Sequence, residues 1–140
     1  MADLKTKILA KFTGPTLSVV ATLTPDGKPW ARYIMCTMDD NLVLRFATFT
    51  QSRKVAQINQ NPEVHVTAGV TDLASAKSYV QIAGKAVIKD DSASKEAMWY
   101  DELKAYFSGP DDPNYCVGEI VPYHIEFQSM DAMEPEVWEA

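Results

Sequence analysis

Residues 17–48 have the sequence LSVVATLTPDGKPWARYIMCTMDDNLVLRFAT, and this stretch decides the class of fold. Its β-branched and apolar runs predict three strands, at 17–24, 29–38 and 42–48. The first two are joined by a tight turn at 25–28, where proline fixes φ and Gly27 accepts a positive φ. A second turn is predicted at 39–41. Consecutive hairpins form antiparallel pairs, so the sequence excludes a doubly wound parallel sheet.

The rest of the chain adds strands and helices to this meander. Alternating or long apolar patterns predict three more strands, at 63–71, 77–89 and 117–128. Gly84 lies inside the second of these and predicts a β-bulge or a close backbone approach. Helical spacing predicts helices at 4–12, from Ser52 as N-cap to Asn61-Pro62, and at 92–107. About six strands with two or three helices favour a small closed or nearly closed barrel, in a single domain spanning residues 1–140.

The composition limits the class of protein. With 46% hydrophobic and 23% charged residues among 140, the chain is typical of a globular protein and not of a disordered one. No apolar run approaches the roughly 20 residues of a membrane helix. The opening MADLKTKILAKF is a poor signal peptide, because lysines interrupt its apolar residues. We therefore expect a cytoplasmic protein that contacts no membrane.

Charge is distributed unevenly along the chain. The net charge is −6, yet residues 1–60 hold eight Lys or Arg against four Asp or Glu, and residues 61–140 hold five against fifteen. An acidic protein is a poor general binder of nucleic acid. A local basic cluster in such a protein suggests a small anionic ligand, and the alternative is that these are scattered surface charges.

The most informative motif is a strand, a short loop and a helix at residues 42–62. A helix N-terminus has free N–H groups and a partial positive charge, so it attracts anions. Ser52 adds a hydroxyl there, and Arg53 and Lys54 add two cations that are unfavourable for the helix unless an anion binds. Arg32, on the neighbouring predicted strand, is within reach of the same anion. The motif predicts a phosphate site; the alternative is that these side chains extend into solvent.

Four segments resemble one known family. RYIMCT at 32–37, LRFATFTQSRKVAQINQNP at 44–62, VQIAGKAVI at 80–88 and PYHIEF at 122–127 are similar to the pyridoxamine 5'-phosphate oxidase-like split-barrel flavoproteins. The resemblance covers most of residues 15–128. It implies a mainly β fold, a six-stranded antiparallel split β-barrel of Greek-key type with two to three helices.

The resemblance also implies a cofactor and its ligands. FMN would be held at the interface of a homodimer, with its phosphate at Arg32, Arg53 and Lys54 and with Ser52 assisting. Residues of two strands would line the flavin ring: Tyr33, Ile34, Met35, Ala47 and Thr48. The implied function is that of a flavin-dependent oxidoreductase acting between small-molecule electron donors and acceptors. The alternatives are a flavin-binding or sensing protein without turnover, and the same barrel with a deazaflavin or haem.

The chain departs from true pyridoxamine-phosphate oxidases at three places. SGPDDP follows Tyr106-Phe107, where those enzymes have an arginine that binds the substrate phosphate, and its acids would repel a phosphorylated substrate. Thr37 stands in place of a substrate-binding lysine, and Tyr79 stands where the family often has a glutamine that reaches the cofactor. The short general-stress-protein branch is the closer match, and vitamin B6 oxidation is not expected.

The remaining candidates are a tail aromatic, two histidines and two cysteines. Trp138 lies in an acidic tail where nothing local is expected to bury it; it either packs simply or covers the flavin, with the other subunit's flavin as one option. His65 and His124 are predicted on outward strand faces, and we expect no metal site. Cys36 is expected to be buried, and Cys116 precedes a predicted strand, a position that allows exposure.

Overall fold

The computed structural model describes residues 3–140, whose strands and helices follow the chain in a simple order. The strands are β1 (Thr16–Leu23), β2 (Pro29–Met38), β3 (Leu44–Phe49), β4 (Glu63–Ala68), β5 (Ser78–Lys89), β6 (Tyr115–Ser129) and β7 (Glu136–Glu139). The helices are α1 (Leu4–Leu9), α2 (Arg53–Gln60) and α3 (Ser92–Met98), with a 3₁₀ helix at Asp101–Ala105. The helices among residues 3–140 are all far shorter than the roughly 20 residues that a membrane-spanning helix needs.

The strands form one antiparallel sheet in the order β3-β2-β1-β4-β5-β6-β7. An additional pairing of β3 with the first part of β6 closes six of these strands into a barrel. The second part of β6 pairs with β7. The expected six-stranded antiparallel barrel is therefore confirmed, with β7 as one strand more than the sequence predicted.

Two glycines shape the barrel wall. Gly118 on β6 lies opposite Phe46 on β3, and a Cβ at position 118 would be 2.1 Å from the Cζ atom of Phe46. The fully buried phenylalanine ring thus occupies the space that any larger residue would need. At Gly84 the β5–β6 register shifts, and a Cβ would lie 2.9 Å from both Ile120 Cγ2 and Val121 O. The predicted bulge and close approach are confirmed.

A second hydrophobic cluster lies apart from the barrel core. It consists of Met98, Leu103, Phe107, Tyr115 and Val117, with Trp99 and Tyr100 packed against it. Four consecutive residues of β6, 115–118, are buried, because one face of the strand lines the barrel and α3 with the 3₁₀ helix covers the other. This second cluster forms a wall of the candidate site described below.

The prediction of one continuous helix at 92–107 was wrong. α3 ends at Met98, and Trp99 has an extended backbone with ψ 135°. In a continuing helix the Lys95 carbonyl would accept the Trp99 N–H. Instead the Tyr115 hydroxyl donates to that carbonyl at 2.8 Å, and the Trp99 N–H bonds to Glu96 O at 3.3 Å. The break also lets the Trp99 ring pack edge-on against Tyr115 at 5.6 Å between ring centroids.

The C-terminal tail also differs from expectation. Residues 136–139 form β7, in which Trp138 lies opposite Ile125 of β6 and packs, partly buried, against the barrel core. Lys7 of α1 pairs with Glu136 at 2.8 Å. The chain therefore does supply a local packing site for Trp138, because the second part of β6 has an edge that β3 leaves free.

Smaller differences have local causes. Leu42 has a positive φ of 67°, so β3 begins two residues later than predicted. β4 ends before Gly69, whose φ is 113°. Cys36 is fully buried as expected, and burial raises the pKa of its thiol to about 12. Cys116, for which the sequence allowed exposure, is fully buried as well and lies inside β6 rather than before it.

Candidate functional site

The start of α2 lacks the usual capping and charge arrangement. Ser52 is the N-cap residue, as predicted, but its side chain makes no capping hydrogen bond. Its hydroxyl instead lies 3.3 Å from that of Thr48 at the end of β3. No acidic residue occupies the first turn. The amide groups and positive dipole end of this helix are therefore left to attract an anion.

Lys54 points back from α2 toward β3. Its Nζ donates to the Thr48 hydroxyl at 2.7 Å, and the side chain is half-buried. Burial lowers the pKa of Lys54, and the nearby charge of Arg32 lowers it further. A cation held in this way gains from any anion placed beside it.

Arg32 reaches the same region from β2. Its guanidinium donates to Val20 O at 3.2 Å, to Thr22 Oγ1 at 2.7 Å and to Gln57 Oε1 at 3.3 Å. Burial lowers the pKa of Arg32, and the charge of Arg53 adds to that effect. Arg53 and Lys54 begin α2, and Arg32 bonds to Gln57 on the same helix, so the three cations lie close together.

These three residues, Arg32, Arg53 and Lys54, are called the cationic cluster. Within residues 3–140, no Asp or Glu lies within ion-pair distance of any of them. Arg45 provides the contrast, since it pairs with Asp39 at 2.8 Å and Glu119 at 3.1 Å. The charge of Arg45 is satisfied within the protein, and that of the cationic cluster is not.

A hollow of about 250 Å³, called the central hollow, lies beside the cationic cluster. It brings together six residues that the sequence proposed for the site: Tyr33, Ile34, Met35, Ala47, Thr48 and Lys54. Ser52 contacts Thr48 at its cationic end. Arg32 and Arg53 do not line the hollow. Trp138 does not line the hollow in the same protomer, and its proposed contact with a flavin stays a prediction.

The far side of the hollow is an aromatic wall that the sequence analysis did not identify. It consists of Phe49, Tyr100, Tyr106 and Phe107, with Leu103 between them. The ring centroids of Phe49 and Phe107 are 4.7 Å apart. The signal in the sequence is the density of aromatic residues at 99–107, whose helical spacing instead favours one helix at 92–107.

Two other sequence candidates lie outside the central hollow. Thr37 donates to Met98 Sδ at 3.7 Å and lines a separate hollow of about 450 Å³ beside Arg45. Tyr79 lines a third hollow of about 260 Å³ on the outer face of the sheet, which shares Tyr33 with the central one. Neither residue touches the cationic cluster in the described contacts.

The family model described as pyridoxamine 5'-phosphate oxidase matches residues 4–129. The chain belongs to this family. General stress protein 26 of Bacillus subtilis is 32% identical over 133 residues, which cover 95% of this chain and 94% of that one. The crystal structure of the general stress protein 26 from Bacillus anthracis has a TM-score of 0.83 and 34% identity, and the match covers 98% of each chain.

Similarity to a named oxidase of the family is more limited. The pyridoxine/pyridoxamine 5'-phosphate oxidase of Aeromonas hydrophila is 40% identical over 55 residues, which are 39% of this chain and 26% of that protein. The general stress proteins instead match over nearly their whole length. The expected resemblance to the short branch of the family is thus confirmed.

Proposed function

We propose that this chain is an FMN-binding flavoprotein and that the FMN phosphate is held by Arg32, Ser52, Arg53 and Lys54. The observation that carries the proposal is the cationic cluster, which has no acidic partner among the described residues and lies at an uncapped helix N-terminus. A phosphate monoester carries about −1.5 to −2 charge at neutral pH and three acceptor oxygens. It would match these charges and donors.

The central hollow supports a planar ring as the second half of the ligand. Its walls are the apolar side chains of β2 and β3 on one side and the aromatic wall on the other. When bound, FMN would supply two-electron redox chemistry. The residues of this chain would bind and orient the ring and exclude water, and we propose small-molecule electron donors and acceptors as the substrates.

The residues of the site also bear on which cofactor it binds. Solved structures with this fold but under 25% identity include an FMN-binding protein from Nostoc punctiforme, an F420 reductase and a heme-binding protein from Mycobacterium smegmatis. Fold alone therefore does not select the cofactor. Haem iron takes a histidine, cysteine, methionine or tyrosine ligand, and methionine and tyrosine both line the central hollow, so the lining alone does not select against haem. The cationic cluster favours a cofactor with a phosphate.

We also propose that the protein is a homodimer with the site at its interface. The outer face of β1 and β2 is apolar and exposed: Leu17 is 44%, Met35 42% and Tyr33 75% exposed. Leu17 lies directly opposite Met35 in the sheet. Because Tyr33 and Met35 also line the central hollow, a second copy covering this face would cover the ligand as well.

Three measurements test these proposals: the absorption spectrum, the relative affinity for two flavins, and light scattering. The freshly purified protein is expected to show the absorption bands of oxidised flavin, and the apoprotein is expected to bind FMN more tightly than riboflavin. Light scattering should give about twice the chain mass of 15.6 kDa, and Leu17→Lys should give monomers that bind FMN more weakly. Equal affinity for FMN and riboflavin would contradict the phosphate site, and a wild-type monomer that binds FMN stoichiometrically would contradict the interface.

Turnover is tested separately from binding. Anaerobic NADH or NADPH should bleach the oxidised flavin band at a catalytic rate if the protein is an oxidoreductase. A bound flavin that neither donor reduces at such a rate would instead support the flavin-binding or sensing alternative.

A further inference from the structure

We propose that Thr22 and Gln57 are positioning residues, which hold the Arg32 guanidinium so that two of its N–H groups are free for the cofactor phosphate. This inference rests on the proposed FMN site. Neither residue was suggested by the sequence, and neither belongs to the cationic cluster. Thr22 lies on the inward face of β1, and Gln57 lies one turn after Arg53 on α2.

The first observation is the burial of both polar side chains. Thr22 is 1% exposed and Gln57 is 8% exposed. Gln57 shares the buried side of α2 with Val55 and Ile58, where an apolar residue would pack at lower cost. A buried amide or hydroxyl costs free energy unless it is hydrogen-bonded. The partner that both residues satisfy is Arg32.

The second observation is a closed triangle of hydrogen bonds. Arg32 Nη1 donates to Thr22 Oγ1, and Arg32 Nη2 donates to Gln57 Oε1. The Thr22 hydroxyl, whose oxygen accepts from Arg32, donates its own proton to the same Gln57 oxygen. Val20 O accepts a further bond from Nη1. The Thr22 hydroxyl therefore both accepts and donates, and the carbonyl oxygens of Gln57 and Val20 only accept. Together these bonds fix the plane of the guanidinium group.

Two N–H donors of Arg32 remain available for a phosphate. A guanidinium group has five N–H donors, and the triangle with Val20 uses three of them. Thr22 and Gln57 bond to each other, so both lie along the edge formed by Nη1 and Nη2. The two unused donors, on Nε and Nη2, lie along the adjacent edge, which is the arrangement that binds a phosphate in bidentate fashion.

Electrostatics explains why the residues that hold Arg32 are neutral. Arg32 and Arg53 are close enough for the charge of Arg53 to lower the pKa of Arg32, so the two side chains repel each other. Thr22 and Gln57 hold Arg32 against that repulsion without cancelling its charge. A carboxylate would hold it equally well but would neutralise it, as Asp39 and Glu119 do for Arg45.

The test compares FMN with riboflavin, which lacks the phosphate, by quenching of flavin fluorescence on binding to the apoprotein. Gln57→Met keeps the approximate length of the side chain and removes the oxygen that accepts from Arg32 and Thr22 without adding a charge. We expect it to weaken FMN binding about tenfold, which corresponds to about 1.4 kcal/mol, and to leave riboflavin binding within about twofold. Thr22→Val should weaken FMN binding in the same selective way, and Thr22→Ser should restore it.

The outcomes separate this inference from the proposed function. Equal loss of FMN and riboflavin affinity in both variants would mean that Thr22 and Gln57 only support the fold, and unchanged affinities would mean that Arg32 needs no positioning; either result overturns the inference. If the wild-type protein itself does not prefer FMN over riboflavin, the proposed phosphate site fails first. Thr22→Val carries the test if Gln57→Met does not fold.

Discussion

The two ends of the central hollow are built in different ways. The cationic end comes almost entirely from one stretch of chain, residues 48–54, with Arg32 added from the paired hairpin. The aromatic wall comes from β3, from the segment at 100–107 and from the β6 surface on which that segment packs. A local strand-to-helix turn determines the first end, and barrel closure determines the second. The comparison predicts that the two ends respond differently to substitution.

The largest expected effect is on the free energy of unfolding. It follows from disrupting the pairing of β3 with β6, which closes the barrel and on which the aromatic wall depends. Gly118→Ala would place a Cβ 2.1 Å from Phe46 Cζ in a fully buried part of the barrel. Overpacking of this kind typically costs 1–3 kcal/mol, and the rigid ring places this case at about 3 kcal/mol. Denaturant unfolding of the apoprotein measures the change.

The matched control is Gly109→Ala, where the nearest atom is the end of the Asp111 side chain at 3.2 Å. That flexible neighbour can move, so the cost should stay within about 0.5 kcal/mol. Similar losses at both glycines would mean that closure around Phe46 is not tight.

An intermediate effect is expected from the aromatic wall itself. Tyr106 is 66% exposed, so Tyr106→Ala should leave the stability nearly unchanged. Loss of one aromatic contact with the ring should weaken binding by about 1 kcal/mol, equally for FMN and riboflavin. Titration of both flavins measures this. Selective loss of FMN binding would contradict the division of the site into a ring end and a phosphate end.

The smallest effect is expected at β7, remote from both ends of the hollow. His124 on β6 bonds to Glu126 at 2.7 Å and to Glu139 of β7 at 3.0 Å, and both carboxylates raise its pKa above the ordinary 6.5. His65 lies in the same cross-strand row on β4, and burial lowers its pKa. Protonated His124 thus helps to hold β7 on the barrel.

The resulting stabilisation is fully present below about pH 6.5, where His124 would be protonated even in the unfolded chain, and is lost as the pH rises through the raised folded pKa. The difference in unfolding free energy between the wild type and His124→Gln should therefore shrink between pH 6 and pH 9. A difference that grows with pH would show that neutral His124 is the stabilising form.

The sequence predicted the barrel and the cationic end for the same physical reason. The strands with alternating apolar residues, the 25–28 turn and Gly84 are each specified by a few consecutive residues. The motif Ser52-Arg53-Lys54 is equally short. The structure confirms the predicted strands, the turn, the bulge at Gly84 and the start of α2. The ligand contacts of the proposed site residues remain predictions.

The features that the sequence did not predict depend on contacts between distant segments. At the end of α3 the Lys95 carbonyl accepts from the hydroxyl of Tyr115, a residue far along the chain. β7 forms because half of β6 has a free edge beside the core, which local composition does not reveal. Gln57 meets Arg32 and Thr22 only after α2 packs on the barrel. Local patterns contain none of this information.

The central claim is that the cationic cluster binds a phosphate, and the double variant Arg53→Ala/Lys54→Ala tests it most directly. Each lost charge-assisted contact should cost about 1–3 kcal/mol. We predict that the double variant loses most of its preference for FMN over riboflavin and loses FMN on dialysis, while Lys85→Ala, which removes an exposed cation near Glu63, retains the wild-type preference. Both proteins should stay folded by circular dichroism. A folded double variant that still binds FMN with wild-type affinity would contradict the account.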